Sequence, residues 1–277
     1  MSRARRFILC ADDFAQDDAV SIAVLRLVEA GRLSAVSCFT DAPQWRTFGR
    51  ELVAGAEQVY LGVHFNLTHE FDRGAHALPF WIASTLARKI DGSAVLDHLR
   101  RQVDRFADVT GRLPDFIDGH QHVHAFPMIR SIVRDYVLAL AQDHPVLVRN
   151  VSLPFGQTDA PFKRRVIQAM AAAGPDVSAG WSFYMNEAFG GDYSLRAKVD
   201  YAALFAQWLA AAPRCGGLIM CHPGVGGRDI DAAKAQELTF LSSGRFHELL
   251  GENRLELARR TDRFPAERRL TPKSAML

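Results

Sequence analysis

Phe7-Ile8-Leu9-Cys10-Ala11, followed at once by Asp12-Asp13, is the stretch that decides the fold. Five apolar residues without alternation are what a strand buried on both faces requires, and such strands belong to parallel sheets covered by helices. Polar residues arrive only where the run stops. Just beyond, residues 17–30 place Val20, Val24, Leu27 and Val28 at helical spacing, and Gly31 ends the pattern. The unit is a strand, then ligand-type residues, then a helix.

Outward from this unit the same order recurs. Strands are expected over residues 34–40 and 58–65, the latter through Val59, Leu61 and Val63. An amphipathic helix is expected over 94–109, with Leu96, Leu99, Val103 and Phe106 on one face and Arg100, Arg101, Asp104 and Arg105 between them. Thr110-Gly111 and Pro114 stop it. Strands at 116–118, 146–148 and 218–221 and helices at 128–142, 162–173, 195–211 and 231–242 complete the series. Repeated β-then-α order predicts parallel strands with helices outside, an α/β single-domain (β/α) barrel-like fold, irregular or incomplete relative to a TIM-type barrel. Residues 1–258 are expected to form the domain, and 259–277, charged and poor in apolar side chains, a frayed tail.

Bulk properties narrow the function classes. A chain of 277 residues, 48% hydrophobic and 23% charged, is an ordinary globular protein. No apolar run approaches the ~20 residues of a transmembrane segment. Residues 1–6 are basic, but the apolar run after them is too short for a signal-peptide core, so a cytoplasmic location is expected. Cys10, Cys38, Cys215 and Cys221 lack zinc-knuckle or redox spacing and read as buried thiols. The net charge is +2, and residues 252–277 carry +3 of their own, so the remainder sums to −1. That leaves no basic face for a nucleic-acid backbone.

The chemistry is carried by the residues just past the strand ends. Asp12-Asp13 ends the first, His64-Phe65-Asn66 the run through Val63, Asp118-Gly119-His120-Gln121-His122-Val123-His124 the run Phe116-Ile117, and His222-Pro223-Gly224 the run Leu218 to Cys221. The C-terminal ends of parallel strands form the active-site face of such folds. A catalytic divalent metal takes about three protein ligands and leaves positions for water and substrate. A carboxylate with two imidazoles suits zinc, iron or manganese without separating them. Successive strand residues point to opposite faces, so Asp12 and Asp13 divide their work only if the chain turns there, one binding metal and the other facing water.

Plainer roles exist for each residue. Asp12-Asp13 would also cap a helix, His64 could be a bonded core histidine, and His222 a turn residue. Three histidines at alternate positions have no such economy, though not all can be ligands; the rest are expected to hold substrate or brace the metal ligands. His69, His76, His98, His144 and His247 read as ordinary. Trp81, Trp181, Phe183, Tyr184 and Tyr193 could line a sugar groove, with core packing the better expectation.

Taken together, Ala11-Asp12-Asp13-Phe14, Gly62-Val63-His64-Phe65-Asn66-Leu67-Thr68, Asp118 through His124 with Pro127, and Cys221-His222-Pro223-Gly224 resemble the YdjC-like carbohydrate deacetylases, in the family's order. Gln236-Glu237-Leu238 through Leu241-Ser242-Ser243 resembles that family's C-terminal helix. The resemblance implies a barrel-like fold and one divalent metal ion (Zn, Mg, Mn or Co) held by Asp13, His64 and His120. It implies Asp12 as general base and His222 as the acid that protonates the leaving amine. Asn66, His122, His124 and Arg149 are then expected to hold substrate or support the ligands. The implied substrate is a small N-acetylated carbohydrate or glycolipid, and a homo-oligomer is left open. Ala15 stands where the family usually has Gly, Gln16-Asp17-Asp18 where small hydroxyl residues are commoner, and Gly119 in place of a usual Ser. The rival readings are another single-metal amidase or phosphoesterase, and a non-catalytic carbohydrate-binding relative. Phosphoryl chemistry usually asks for Lys/Arg clamps or a second metal, which the motif loops lack, although Arg149 at a strand end could approach.

Overall fold

The computed structural model describes residues 5–71, 75–140, 145–172, 185–213, 217–226 and 230–261. At its centre is one parallel sheet of β1 (Arg5–Phe14), β2 (Ala35–Cys38), β3 (Tyr60–Phe65), β4 (Phe116–Gly119), β5 (Leu147–Val148), β6 (Ala188–Gly190), β7 (Gly217–Cys221) and β8 (Leu255–Leu257). The order is β5-β4-β3-β2-β1-β7-β6, with β8 added on β1. The sheet curls until its two ends meet: the Met185 amide donates to Val148 at 2.9 Å, and Pro154 bridges to Phe189 on β6. This is the incomplete barrel that the strand-helix alternation predicts.

Side-chain alternation sorts the sheet into two faces. Ile8 and Cys10 on β1, Ala35, Tyr60, Phe116, Leu147, Phe189, Leu218 and Met220 form one buried cluster, the inner lining of the curl. Leu9, Ala11, Val36, Cys38, Leu61, Val63, Ile117, Val148, Ile219 and Cys221 belong to a larger cluster under the helices. Gly62 is needed on the inner face because Phe116 fills the space beside it; a Cβ there would lie 2.4 Å from the ring.

The helices are α1 (Asp18–Glu29), α2 (Trp45–Gly55), α3 (Leu78–Leu86), α4 (Gly92–Thr110), α5 (Ile129–Leu140), α6 (Pro161–Ala172), α7 (Tyr201–Ala211), α8 (Ile230–Ser242) and α9 (Gly244–Glu252). Asp17 caps α1 by accepting the Val20 amide at 2.8 Å. Asp91 caps α4, and left-handed Gly111 ends it. The helix expected over 195–211 begins only at Tyr201. Asp200 caps it by accepting the Ala203 amide, and Leu195 lies at φ 54°, outside any helix. The sequence pattern did not disclose α2, α3, α9, β6 or β8: β6 and β8 have three residues each, too few to show a period.

β1 organises the body. One edge pairs with β7 through Phe7 to Ala11; the other pairs first with β8 and then with β2. The β2 register breaks between Ala11 and Phe14, where Asp12 and Asp13 sit. Contacts to the body continue through Arg260, whose amide donates to the Gln58 carbonyl at 2.9 Å; residues 262–277 lie outside the described residues. Cys10, Cys38 and Cys221 are buried free thiols, and Cys215 is not among the described residues. No helix among those residues is long and apolar enough to cross a membrane.

Candidate active site

Following the inner face toward the C-terminal ends of the strands, the lining changes from apolar to polar within two residues. Cys10 gives way to Asp12, Ala35 to Ser37, Tyr60 and Gly62 to His64, Phe116 to Asp118, Leu147 to Arg149 and Met220 to His222. The alternation that builds the core therefore also aims these side chains at one mouth.

Asp13, His64 and His120 each bring one ligand-type atom into a group spanning no more than 4.8 Å. Asp13 Oδ1 lies 3.3 Å from His64 Nε2 and 3.1 Å from His120 Nδ1. Asp13 reaches this position because its backbone turns left-handed, φ 63°, which takes it out of the strand's alternation. Burial pushes its carboxyl pKa up, but the bonds from His120 and His64 outweigh burial and hold it well below the usual range. The other nitrogen of His64, Nδ1, lies 2.7 Å from Asp118 Oδ1 and 2.9 Å from Ser37 Oγ. Burial opposes a charge on His64, yet Asp118, Asp13 and Asp12 together push its pKa up to about 10. A carboxylate and two imidazoles, one of them oriented from behind by a second carboxylate, fit a divalent metal ion in donor type and number.

Cys10, Asp12 and Asp118 form a second such group, beneath the first. Here a cation is built in. Arg149, 1% exposed, places its guanidinium nitrogens 2.6 Å from each oxygen of Asp12, 2.5 Å from Asp118 Oδ2 and 3.0 Å from Cys10 Sγ. Asp118 joins the two groups, with one oxygen on His64 and the other on Arg149. Asp12 is 2% exposed, with both oxygens held by Arg149.

The run from His120 to Ala125 is a 3₁₀ turn containing two consecutive left-handed residues, Gln121 at φ 51° and His122 at φ 61°. Such residues cost on the order of 1 kcal/mol each, and they splay the three histidines. Only His120 reaches Asp13. His124 Nε2 lies 3.0 Å from the Arg149 carbonyl oxygen, so this nitrogen donates and braces the arginine's backbone. Gly119 makes room for it: a Cβ there would lie 3.0 Å from the His124 amide nitrogen and 3.1 Å from its Nδ1. His122 is buried edge-on against Phe189, with centroids 5.4 Å apart. Burial lowers the pKa of both, His122 well below its ordinary value and His124 to about 4.

Asn66 has both ends of its side chain engaged. It donates to Asp41 at 2.7 Å and to the His69 carbonyl, and accepts the amides of Thr68 and His69, so it holds its loop. That loop carries a residue the sequence pattern did not single out. His69 stacks on Phe71 at 3.9 Å, stands 6.1 Å from the His120 ring and lies 3.3 Å from Gln16 Nε2. Gln16 also accepts a hydrogen bond from Lys234 Nζ at 3.1 Å, so one side chain joins three segments around the mouth. The only signal for His69 was its place three residues beyond Asn66. Ala15 adopts φ 71°, the region its usual Gly enters freely. Burial lowers the His222 pKa to about 4 against the pull of Asp13 and Asp12. Trp81 and Tyr193 are buried, with Trp81 Nε1 donating to the Leu67 carbonyl. Trp181, Phe183, Tyr184 and His144 lie outside the described residues.

A family model described as YdjC-like protein matches residues 6–252. A chitooligosaccharide deacetylase of Serratia marcescens is 27% identical over 78% of this chain and 80% of its own. A human carbohydrate deacetylase is 26% identical over 50% of this chain and 47% of its own. Among solved structures, an Enterococcus faecalis V583 protein described as a candidate cellobiose-phosphate cleavage protein superposes with TM-score 0.64 at 18% identity, covering 93% of this chain and 97% of that one. The peptidoglycan N-acetylglucosamine deacetylase Bc1960 gives TM-score 0.50 at 12% identity, over 91% and 85% of the two chains. At these identities the two structures speak for the fold.

Proposed function

The chain belongs to the YdjC-like family, and on that footing we propose that it is a metal-dependent carbohydrate N-deacetylase, hydrolysing the acetamide of an N-acetylated sugar in an oligosaccharide or glycolipid. The observation that carries this reading is the convergence of Asp13, His64 and His120 at one mouth, with Asp12 on the same short segment of β1. Deacetylases among the relatives support it.

Asp13, His64 and His120 would hold the divalent ion, which when bound supplies Lewis acidity to the acetyl carbonyl and to water. Ser37 and Asp118 fix the His64 ring so that Nε2 faces the cluster. Asp12 accepts the proton of the attacking water. Arg149 holds both of its oxygens and limits the directions from which a proton arrives. His222, which burial keeps neutral in the resting protein, takes up a proton from solvent as negative charge develops beside it and passes it to the leaving nitrogen, and Asp12 returns the water's proton to solvent as acetate departs. His122, its pKa lowered by burial beside Phe189, would offer the sugar an uncharged ring.

A second reading, phosphoester hydrolysis, is favoured by one observation. Lys163 and Lys234 both help to lower the pKa of His222, and Lys163 that of His122, so two cations lie near these rings. One experiment separates the two readings. Metal-stripped protein, with Zn, Mn, Co or Mg restored, is given diacetylchitobiose, a GlcNAc-lipid mimic and p-nitrophenyl phosphate. Metal-dependent acetate release, lost by about 10²- to 10⁴-fold in Asp12→Asn with its metal retained, is the expected result. Phosphate release without acetate, from protein that still binds the metal, would replace the reading.

A further inference from the structure

Glu237 on α8 is a fully buried carboxylic acid, 0% exposed, that takes no part in either acidic cluster. An unpaired buried carboxylate is costly, and among the described residues no cation bonds to this one. It accepts two short hydrogen bonds instead, from the Tyr193 hydroxyl to Oε1 and from the His222 backbone amide to Oε2, each at 2.5 Å. Tyr193 is itself 2% exposed.

The second bond matters because of what it fastens. The loop His222-Pro223-Gly224-Val225 leaves β7 at the mouth, and Pro223 has no amide to donate. The Gly224 amide donates to the Lys234 carbonyl and the Val225 amide to the Ala19 carbonyl, each at 3.1 Å. These two bonds use backbone acceptors on helices and hold the far end of the loop. The amide of His222, a residue near enough to Asp13 and Asp12 to feel their charge, is held by a side chain. A main-chain carbonyl would close the loop equally well; a carboxylate shared with a tyrosine fixes the place of one residue from two directions.

We propose that Glu237 is a positioning residue for the reaction: by accepting the His222 amide and the Tyr193 hydroxyl together, it sets where the His222 ring stands relative to the reacting atoms. This rests on the reading that His222 delivers the proton to the leaving nitrogen. Glu237 and Tyr193 act through His222.

The test is a double-mutant cycle on the metal-loaded protein, read as kcat and KM for acetate release together with bound metal per chain. Glu237→Ala is expected to lower kcat by about 10- to 100-fold with KM and metal content near the parent values. Glu237→Gln recovers most of the loss, because its amide oxygen accepts the His222 N–H while its NH₂ group donates to the tyrosine oxygen. In a His222→Ala background, Glu237→Ala costs less than about twofold more. Full additivity of the two losses, or loss of metal in Glu237→Ala, overturns the positioning role while leaving the deacetylase reading intact. A His222→Ala protein as active as the parent overturns the proton-delivery reading and the positioning role with it. Should Glu237→Ala fail to fold, Tyr193→Phe removes one of the two anchors and is run through the same cycle with the same criteria.

Discussion

Two groups of ligand-type side chains lie one above the other in this barrel, and they have opposite electrostatic solutions. Asp13, His64 and His120 meet around shared imidazole and carboxylate atoms, whereas Cys10, Asp12 and Asp118 close around the guanidinium of Arg149. By distance alone the two are equivalent, since each gathers three ligand atoms within 4.8 Å. Charge separates them. In the lower group the arginine already pairs with both carboxylates, and burial raises the Cys10 thiol pKa well above its ordinary value, which disfavours the thiolate a metal would need. In the upper group one carboxylate faces two imidazoles, the donor set a divalent ion takes, and no arginine stands among them. Proximity of ligands is necessary for a metal site; the counter-charge decides whether an ion is wanted there.

The largest expected effect comes from breaking the lower group. Arg149→Met leaves Asp12 and Asp118 buried without their counter-ion, a change worth about 3–5 kcal/mol. Urea denaturation of the metal-free variant measures it, and a loss below about 1 kcal/mol would mean that the guanidinium is not the group's balancing charge.

A middle-sized effect sharpens the contrast through protons. With its pKa raised from 6.5 to about 10, His64 contributes stability that is fully present below pH 6.5 and lost as pH rises through about 10. A metal ion competes with that proton, so binding at pH 8 should release about one proton and tighten as pH rises. Calorimetry in buffers of different ionisation enthalpy reads the number directly. Zero protons released would show that His64 is not a ligand.

The smallest effect lies beside the upper group. Ala15 at φ 71° carries about 1–2 kcal/mol of left-handed strain. Glycine removes that strain but gives back about 0.4–1 kcal/mol in unfolded-chain entropy. Ala15→Gly should therefore stabilise the protein by roughly 0.5–1 kcal/mol, a rise in thermal midpoint without change in metal content. A fall would indicate that the turn relies on the alanine methyl for packing.

The strands that carry the site were legible because burial on both faces writes itself as an unbroken apolar run, as in Phe7 to Ala11 and Leu218 to Cys221. The ligand-type residues stood out because they sit where those runs stop. What could not be read is pairing across the chain. Arg149 and Asp12 are 137 residues apart, and no periodicity links them, so the pairing of their side chains is not written in the sequence. Lys234 and Glu237 lie on a helix among ordinary polar neighbours; only the fold shows that Glu237 meets His222. The helix expected from residue 195 ran on because Leu195 and Val199 extend the apolar period, a local signal overruled by the Asp200 cap.

β1 has a consequence for how the chain comes into being. The strand is made first, yet one edge is completed by β7 and the foot of the other by β8, while Arg5 bonds the carbonyls of Ala212 and Asn253. During synthesis the segment bearing Asp12 and Asp13 therefore waits, with an unpaired edge, for partners more than 200 residues downstream. A nascent polypeptide lacking residues 217–257 cannot finish the barrel, and that bare edge is open to other chains. Such long-range closure also makes for slow folding. The pairing of β1 with β7 and β8 thus sets the moment at which the site first exists, late and all at once.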